Sequence, residues 1–230
     1  MANTIYHFFN TQTSGIFTSR IYEWIDAIRA SSGQESTILE LHDADGYSKL
    51  RLRYTLKKDL NKEEYKAIIT NQEMCRNELQ GVMPFFPDIF VDMSFLYKDW
   101  WQPLAFCNAD KIDEDDEPGK KGGYRLDLIC SRVIYDSSSK SGLFSPPSNQ
   151  HNLNIGKICH YICVKALMSQ SSGFYLTAVE GKQNYYKSLG YELDTGPSSN
   201  DEMMLKNFPL LESKAMLQIN SLGMNTQQLQ

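Results

Sequence analysis

The chain has 230 residues, of which 41% are hydrophobic and 22% are charged, and this composition predicts a packed globular core. The formal net charge of −5 argues against a general nucleic-acid-binding protein, because such proteins need a basic surface. No apolar run approaches the roughly 20 residues that are needed to span a bilayer. We therefore expect neither a nucleic acid nor a membrane among its partners.

The five cysteines are odd in number and lie mostly in apolar runs, which predicts reduced thiols in a cytoplasmic protein rather than a disulfide scaffold. Cys159 and Cys163 are one turn apart on a predicted helix, but no further ligands converge on them at zinc-like spacing. We expect both side chains to pack in the core, and we predict no metal site.

Three elements are predicted at the start of the chain. Thr4–Phe9 has the composition of a short strand. Ser19–Ala30 has apolar residues at helical spacing, which predicts an amphipathic helix. Ser36–His42 is predicted as a strand.

A strand and a helix are predicted next. Lys49–Leu56 alternates strictly between apolar and polar residues, which predicts a strand with one buried face. Arg51 and Arg53 then point away from that face. Lys62–Leu79 is predicted as a helix, with Asn61 as its N-cap.

Two further strands and a loop are predicted in the middle of the chain. Ile89–Phe95 and Pro103–Cys107 have strand composition. Trp100 and Trp101 between them form either a hairpin corner or an exposed substrate platform, with core packing as the default for tryptophan. Asn108–Gly123 is acidic, rich in glycine and without apolar periodicity, which predicts a solvated hairpin loop.

Tyr124–Tyr135 is predicted as one long strand, and the Ser- and Pro-rich stretch Asp136–Gln150 as a loop. The segment after that loop begins with the features of an anion site. Apolar residues at helical spacing predict a helix from Ile155 to Gln170.

Asn154 and Gly156, at the start of this helix, readily adopt positive φ, so the loop can turn several backbone N–H groups toward one point. Such a cluster at a helix N-terminus binds an anion, and a pyrophosphate fits it. An ordinary Asn/Gly helix start remains the alternative interpretation.

The last predicted elements are short. Phe174–Val179 is a strand by composition, and Tyr185–Tyr191 is a short helix closed by Gly190 at its C′ position. Glu202–Lys206 is predicted as the last strand. An amphipathic helix is predicted after Phe208.

Two motifs resemble the GNAT family of acyl-CoA-dependent N-acyltransferases. The stretch Gly181-Lys-Gln-Asn-Tyr-Tyr-Lys-Ser-Leu-Gly-Tyr191 is similar to that family's Gly-Lys-x-x-Phe-Tyr-x-x-Leu-Gly-Phe signature. The loop that ends at Gly156 resembles the family's Arg/Gln-x-x-Gly-x-Gly/Ala pyrophosphate motif. His151 takes the Arg/Gln position and Asn154 the first glycine position.

The resemblance implies an α/β (α+β) fold, with a mixed, mostly antiparallel central sheet flanked by helices. The acyltransferase domain is then expected at residues 46–208, followed by a C-terminal tail at 209–230. Residues 1–45 are an N-terminal extension, either a packing extension or a lid or partner surface. In this family the strand predicted at Tyr124–Tyr135 splays from its neighbour and admits the pantetheine arm of the cofactor.

The resemblance also implies an activity, the transfer of an acetyl group from acetyl-CoA, a cosubstrate, to an amine by direct attack. Tyr186 takes the family's general-acid position, and Glu180 is the expected base, with Asp127 as the other candidate. The amine acceptor is a small molecule or a protein, and we expect a monomer or a homodimer. The residues expected to bind acetyl-CoA are Ser131, Arg132, Val133, His151, Asn152, Asn154, Ile155, Gly156 and Lys157.

Two other functions fit the same scaffold. The first is a catalytically silent domain that binds acyl-CoA or another protein. The second is a transferase that uses aminoacyl or longer-chain acyl donors. Binding of acetyl-CoA and turnover of a bound acetyl group separate these alternatives.

Overall fold

The fold is that of a computed structural model, which describes residues 11–42, 49–62, 65–66, 87–97, 100–113, 119–127, 129–131, 156–195 and 202–222. The predicted strand Thr4–Phe9, most of the predicted helix Lys62–Leu79 and the predicted loop Asp136–Gln150 lie outside these residues. The residues expected to bind acetyl-CoA that also lie outside them are Arg132, Val133, His151, Asn152, Asn154 and Ile155.

The first half of the chain forms a helix and an antiparallel meander. Each of its strands pairs antiparallel with the next one along the chain. The predicted strand Lys49–Leu56 is confirmed at both ends, and the strand predicted at Ser36–His42 begins one residue later. The predicted helix Ser19–Ala30 and the predicted strands Ile89–Phe95 and Pro103–Cys107 lie within longer elements. The described elements are α1 (Thr11–Ala30), β1 (Thr37–His42), β2 (Lys49–Leu56), β3 (Ile89–Tyr97) and β4 (Trp100–Lys111).

The second half alternates short strands with helices. The predicted helix, strand, short helix, last strand and C-terminal helix are all confirmed with small shifts of their ends. The strand β8 has no predicted counterpart, because three residues are too few to show a period. The elements are β5 (Tyr124–Arg125), β6 (Ile129–Ser131), α2 (Gly156–Leu167), β7 (Phe174–Thr177), α3 (Gln183–Lys187), β8 (Tyr191–Leu193), β9 (Glu202–Leu205) and α4 (Phe208–Leu222).

All of these strands join one nine-stranded sheet in the order β1-β2-β3-β4-β5-β7-β9-β8, with β6 paired to β4. The β5–β7 pair is parallel, and the other described pairs are antiparallel. The molecule therefore has the predicted fold class, a mixed, mostly antiparallel sheet flanked by helices.

Helices α1, α2 and α4 pack against one another, and α2 is the central helix because it also contacts β3, β4 and β6. Nearly every side chain of α2 is buried. The sheet faces this helical layer with apolar side chains such as Leu52, Val91 and Cys107, none of which is exposed to solvent. This contact forms the hydrophobic core and fixes the position of α2 over the sheet.

The opposite face of the sheet carries polar side chains beside the packed rings of Phe90 and Phe106, and it is also buried near its centre. Arg53 and Asp92 form a buried ion pair, with Nε–Oδ1 and Nη2–Oδ2 distances of 2.8 Å and 3.0 Å. The guanidinium carbon of Arg51 lies 4.0 Å from the ring centroid of Trp101. The predicted alternation of β2 is therefore confirmed, and both of its arginines have partners on the polar face.

The prediction of one long strand at Tyr124–Tyr135 is wrong. Its described part is broken at Leu126 and Asp127, so that β5 and β6 are separate strands. Both strands pair antiparallel with β4, but their registers on β4 differ by one residue, and within the described ranges only β5 also pairs with β7.

Trp100 and Trp101 begin β4 and lie opposite Tyr97 and Leu96, at the end of the β3–β4 hairpin. The prediction for the loop after β4 is wrong at its start. The predicted loop starts later than Asn108, because β4 continues to Lys111 and the next side chain, Ile112, is buried. Near the other end of that loop Lys120 is largely buried, where the carboxylate of Glu202 neutralises its charge.

The cysteines depart from the prediction at one position. Cys107, Cys159 and Cys163 are free, buried thiols, but Cys130 is disulfide-bonded.

Within the described ranges we find no helix long and apolar enough to cross a membrane. The same residues hold no group of three or more potential metal ligands.

Candidate functional site

The sheet opens where its two parallel strands diverge. Tyr124 and Arg125 of β5 lie opposite Phe174 and Tyr175 of β7. Among the described residues, the last backbone hydrogen bond between the two runs from the N–H of Leu126 to the C=O of Tyr175, at 2.8 Å. Beyond it the described residues show no pairing between β6 and β7, because β6 pairs with β4 and the pairing of β7 with β9 uses its opposite edge. A gap therefore opens at the carboxyl ends of two parallel strands, which is where ligands gather in open sheets.

The edge of β7 that faces this gap ends at Thr177. Backbone groups two residues apart in a strand face the same edge, so the N–H and C=O of Thr177 face the same side as the C=O of Tyr175. That carbonyl is the group that accepts from Leu126. Thr177 lies past the end of this ladder, and an extended ligand in the gap is able to pair with its backbone.

The N-terminus of α2 lies at the carboxyl end of β6, beside the gap. A Cβ atom at Gly156 would lie 3.3 Å from Cβ of Ser131 and 3.4 Å from its Oγ. Gly156 has helical rather than positive φ, so its glycine is needed for this close approach. The first N–H groups of α2 thus start next to the strand end, and the helix dipole favours an anion there.

A chain of contacts connects α2 to α3 and β8 and then returns to α2. Lys157 Nζ lies 5.8 Å from the ring centroid of Tyr185, which lies 5.2 Å from that of Tyr186. The ring of Tyr186 packs edge-on against Tyr191 at 6.0 Å. The hydroxyl of Tyr191 lies 2.7 Å from Nε2 of His160, one turn further along α2. The short helix with the proposed acid is therefore held against the helix that starts at the gap.

Lys157 is positioned to meet an anion but is partly withdrawn from water. Burial lowers the pKa of its ammonium group, and repulsion from the charge of Lys214 lowers that pKa further. The ammonium group lies over the ring of Tyr185, and this contact keeps the charge close to the helix start.

Because the C-cap of α3 is Ser188, Gly190 lies at C″ rather than at the predicted C′ position and ends the turn that follows the helix. Its φ is +94°, and its carbonyl accepts hydrogen bonds from the N–H groups of Lys206 and Asn207, both at 3.0 Å. A Cβ atom here would lie 2.2 Å from the carbonyl oxygen of Asn207. Only glycine meets both requirements, the left-handed backbone and the close contact.

Two carboxylates lie after the strands that form the gap. Glu180 is exposed beyond the end of β7 and lines a cavity of about 480 Å³ together with Gln183 and Asn184. Asp127 lies directly after the point of divergence and is hydrogen-bonded to Asp110. Burial and that carboxyl partner raise the pKa of Asp127 to about 7, against the opposing charge of Arg125. Solvent still reaches the Asp127 side chain, so it is accessible to a proton donor.

An ion network that the sequence did not reveal joins the strands below the gap. Glu202 of β9 pairs with Lys120 and, at 3.1 Å, with Nη2 of Arg125. Lys120 also lies 3.5 Å from Asp194 and 5.0 Å from the ring centroid of Tyr175. These contacts connect β5 to β9 across β7, so the two parallel strands are held together up to the point where they diverge.

The described residues bring together part of the predicted site. Ser131 lies against Gly156, and Lys157 reaches Tyr186 through Tyr185. Sequence reasoning missed His160, because a histidine in an apolar helix has no local sign of a partner 31 residues away.

No protein-family model matches this chain, and a search of curated proteins finds no match. Among solved structures, an acyl-CoA N-acyltransferase from Pseudomonas aeruginosa matches at a TM-score of 0.35 and 16% identity, over 68% of this chain and 99% of that one. A mutant of the toxin AtaT, bound to the C-terminus of the antitoxin AtaR and to acetyl-CoA, matches at a TM-score of 0.35 and 14% identity, over 79% and 98%.

A cAMP-binding acyltransferase from Mycobacterium smegmatis matches at a TM-score of 0.34 and 11% identity, over 88% of this chain and 59% of that one.

Proposed function

We propose that this protein is an N-acetyltransferase that transfers an acetyl group from acetyl-CoA to an amine. The observation that carries the proposal is the divergence of β5 and β7 after Leu126, with the start of α2 at its rim. An opening between parallel strands accepts an extended, uncharged arm, and a helix N-terminus accepts a phosphate. A molecule with a pantetheine arm joined to a pyrophosphate has both parts.

Acetyl-CoA then lies with its pantetheine arm in the gap and its pyrophosphate at α2. The arm pairs with the backbone of Thr177 on one side and of Ser131, Arg132 and Val133 on the other. The pyrophosphate is held by the N–H groups of Gly156 and Lys157, together with the residues before them. Those residues are His151, Asn152, Asn154 and Ile155.

The reaction needs no covalent intermediate on the protein. The neutral amine attacks the thioester carbonyl carbon, the C–S bond breaks, and the departing sulfur takes a proton from the hydroxyl of Tyr186. A tyrosine hydroxyl is a donor at neutral pH and suits this role. The N–H of Thr177 is the candidate donor to the oxyanion that forms on the way.

The proton released by the amine passes to a carboxylate, directly or through water. Asp127 suits this step because the raised pKa of its carboxyl, about 7, matches a base that works near neutral pH. Glu180 is the other candidate base, since it lines the polar cavity beyond β7. Replacing each carboxylate by its amide and comparing kcat identifies which one accepts the proton.

The proposal is tested by titrating acetyl-CoA into the protein by calorimetry and following release of free thiol with a panel of amines. Thr177→Pro removes the N–H that faces the gap, and the matched control Thr177→Val keeps it. A lost hydrogen bond of about 1–1.5 kcal/mol predicts roughly tenfold weaker binding for the proline variant, with the valine variant unchanged.

Wild-type protein that gives no heat at millimolar acetyl-CoA would refute the proposal. Equal affinities for the two variants would show that Thr177 does not face the ligand. Binding without turnover for any amine would favour the silent acyl-CoA-binding domain instead.

A further inference from the structure

We propose that His160 is a positioning residue, which acts through Tyr191 to hold the ring of Tyr186 in the orientation that catalysis needs. The inference rests on the proposed role of Tyr186 as the proton donor to the leaving sulfur. Nothing in the motifs of the sequence assigns a role to His160, and the mechanism above does not use it.

The contact itself is short and fully buried. Nε2 of His160 lies 2.7 Å from the hydroxyl oxygen of Tyr191, and the ring centroids are 5.5 Å apart. His160 has no exposed surface, and Tyr191 is 1% exposed. Neither group can exchange this partner for water, so the bond fixes the direction of the Tyr191 side chain.

His160 acts in this pair as a neutral group. Burial lowers the pKa of its imidazole to about 3, so the ring carries a single N–H at neutral pH. Nδ1 has no hydrogen-bond partner among the described residues. The Tyr191 hydroxyl can donate or accept, so either neutral tautomer of His160 forms this hydrogen bond through Nε2.

Tyr186 depends on this pair because its own helix is weak. Helix α3 has five residues, and its N-cap residue, Lys182, makes no side-chain cap. So short a helix does not hold its side chains by itself, and its orientation comes from tertiary packing. The ring of Tyr186 meets that of Tyr191 edge-on, at 6.0 Å between centroids and 74° between planes. A Tyr191 side chain fixed by His160 thus gives Tyr186 a rigid surface to pack on.

The next residue on α2 offers a matched control. Tyr161 follows His160 in the chain but points toward α4, where its hydroxyl donates to Oε1 of Glu212 at 2.9 Å. Tyr161→Phe and Tyr191→Phe each remove one tyrosine hydrogen bond from the same helix. The first should affect stability alone, and the second should affect stability and the position of Tyr186.

The test compares kcat, the KM for acetyl-CoA and the Tm of wild-type protein with those of Tyr191→Phe, Tyr161→Phe, His160→Leu and His160→Gln. Tyr191→Phe and His160→Leu are expected to lower kcat by about tenfold and to leave KM unchanged, because the acid is misplaced while the cofactor still binds. His160→Gln keeps an N–H donor and should restore most of kcat. Tyr161→Phe should lower Tm with kcat unchanged.

The double variant with His160→Leu and Tyr191→Phe should be no slower than the worse single variant, because both changes remove the same contact. Wild-type kcat in Tyr191→Phe, or equal losses in Tyr191→Phe and Tyr161→Phe, would overturn the inference and leave the proposed function standing. Tyr191→Phe keeps the ring and decides the question even if His160→Leu does not fold. A wild-type protein that neither binds nor turns over acetyl-CoA would remove the proposed function, and this inference would fall with it.

Discussion

Helix α2 presents two different sides to its neighbours. On the site side, His160 is bonded to Tyr191 of β8 at 2.7 Å. On the anchoring side, Tyr161 and Lys165 both donate to Oε1 of Glu212 on α4, at 2.9 Å and 2.8 Å. The bond on the site side is neutral and fully buried, whereas the anchoring side carries charge and is partly exposed. One helix thus keeps the geometry of the candidate site separate from the electrostatics that stabilise the fold.

The difference has a physical cause. A neutral, buried hydrogen bond keeps its geometry at any pH at which the protein is folded, because neither partner changes charge. A partly exposed ion pair contributes little stability, and that contribution depends on pH and salt. Changes on the site side should therefore alter turnover, and changes on the anchoring side should alter stability.

The largest effect on stability is expected from Gly190→Ala, which disturbs the support of the site side. The new Cβ would lie 2.2 Å from the carbonyl oxygen of Asn207, at a φ of +94°. We expect the free energy of unfolding to fall by about 3 kcal/mol or more, because left-handed strain and a backbone clash add. The free energy of unfolding is measured by urea denaturation, monitored by circular dichroism.

Gly119→Ala is the matched control for that change. Gly119 has a nearly equal φ of +95°, but no atom of the described residues lies within 4 Å of the added Cβ. Gly119→Ala should lower the free energy of unfolding only by the backbone strain, about 1–2 kcal/mol. Equal losses at the two positions would show that the contact with Asn207 is unimportant.

A smaller effect is expected from Glu212→Gln on the anchoring side. The hydrogen bond from Lys165 lowers the pKa of the Glu212 carboxyl below its ordinary value of 4.5, and the bond from Tyr161 adds to this. Because the folded state has the lower pKa, the stabilisation is present above pH 4.5 and disappears as the pH falls through the folded value. The variant should lose about 1 kcal/mol at pH 7, after allowing for solvent screening.

Denaturant unfolding at pH 7 and at acid pH checks this expectation, with kcat measured in parallel. The difference in the free energy of unfolding between wild type and Glu212→Gln should disappear at acid pH. The kcat at pH 7 should be unchanged. A fall in kcat of the size expected for Tyr191→Phe would break the distinction between the two sides of α2.

The sequence predicts elements well where a local pattern determines them. Strict alternation places β2 at Lys49–Leu56, and Gly190 ends the turn after α3 because only glycine suits its backbone. Local patterns do not determine which strands pair in the sheet. The stretch after Tyr124 is apolar enough for one strand, but local composition does not encode the one-residue register shift on β4 or the pairing of β5 alone with β7 among the described residues.

The residues of the candidate site that lie in local motifs were also predictable, whereas those that depend on distant partners were not. Gly156 and Tyr186 lie in motifs, so their residue types and spacing point to them directly. The pair of His160 and Tyr191 joins residues 31 apart, and its identity depends on how α3 and β8 fold back onto α2. The raised pKa of Asp127 likewise depends on Asp110, which comes close only when β4 and β5 pair.

The central claim is that the start of α2 holds the phosphates of acetyl-CoA, and one measurement addresses it directly. Calorimetry compares the affinity for acetyl-CoA of wild type, Gly156→Glu and Met168→Glu, with circular dichroism to verify that each is folded. The first variant adds a carboxylate at the N-terminus of α2, and the second adds one just past its other end.

We predict that Gly156→Glu weakens binding by about a hundredfold or more, because a carboxylate repels the phosphates and occupies their site, and that Met168→Glu binds like wild type. Folded Gly156→Glu protein with wild-type affinity would contradict the account.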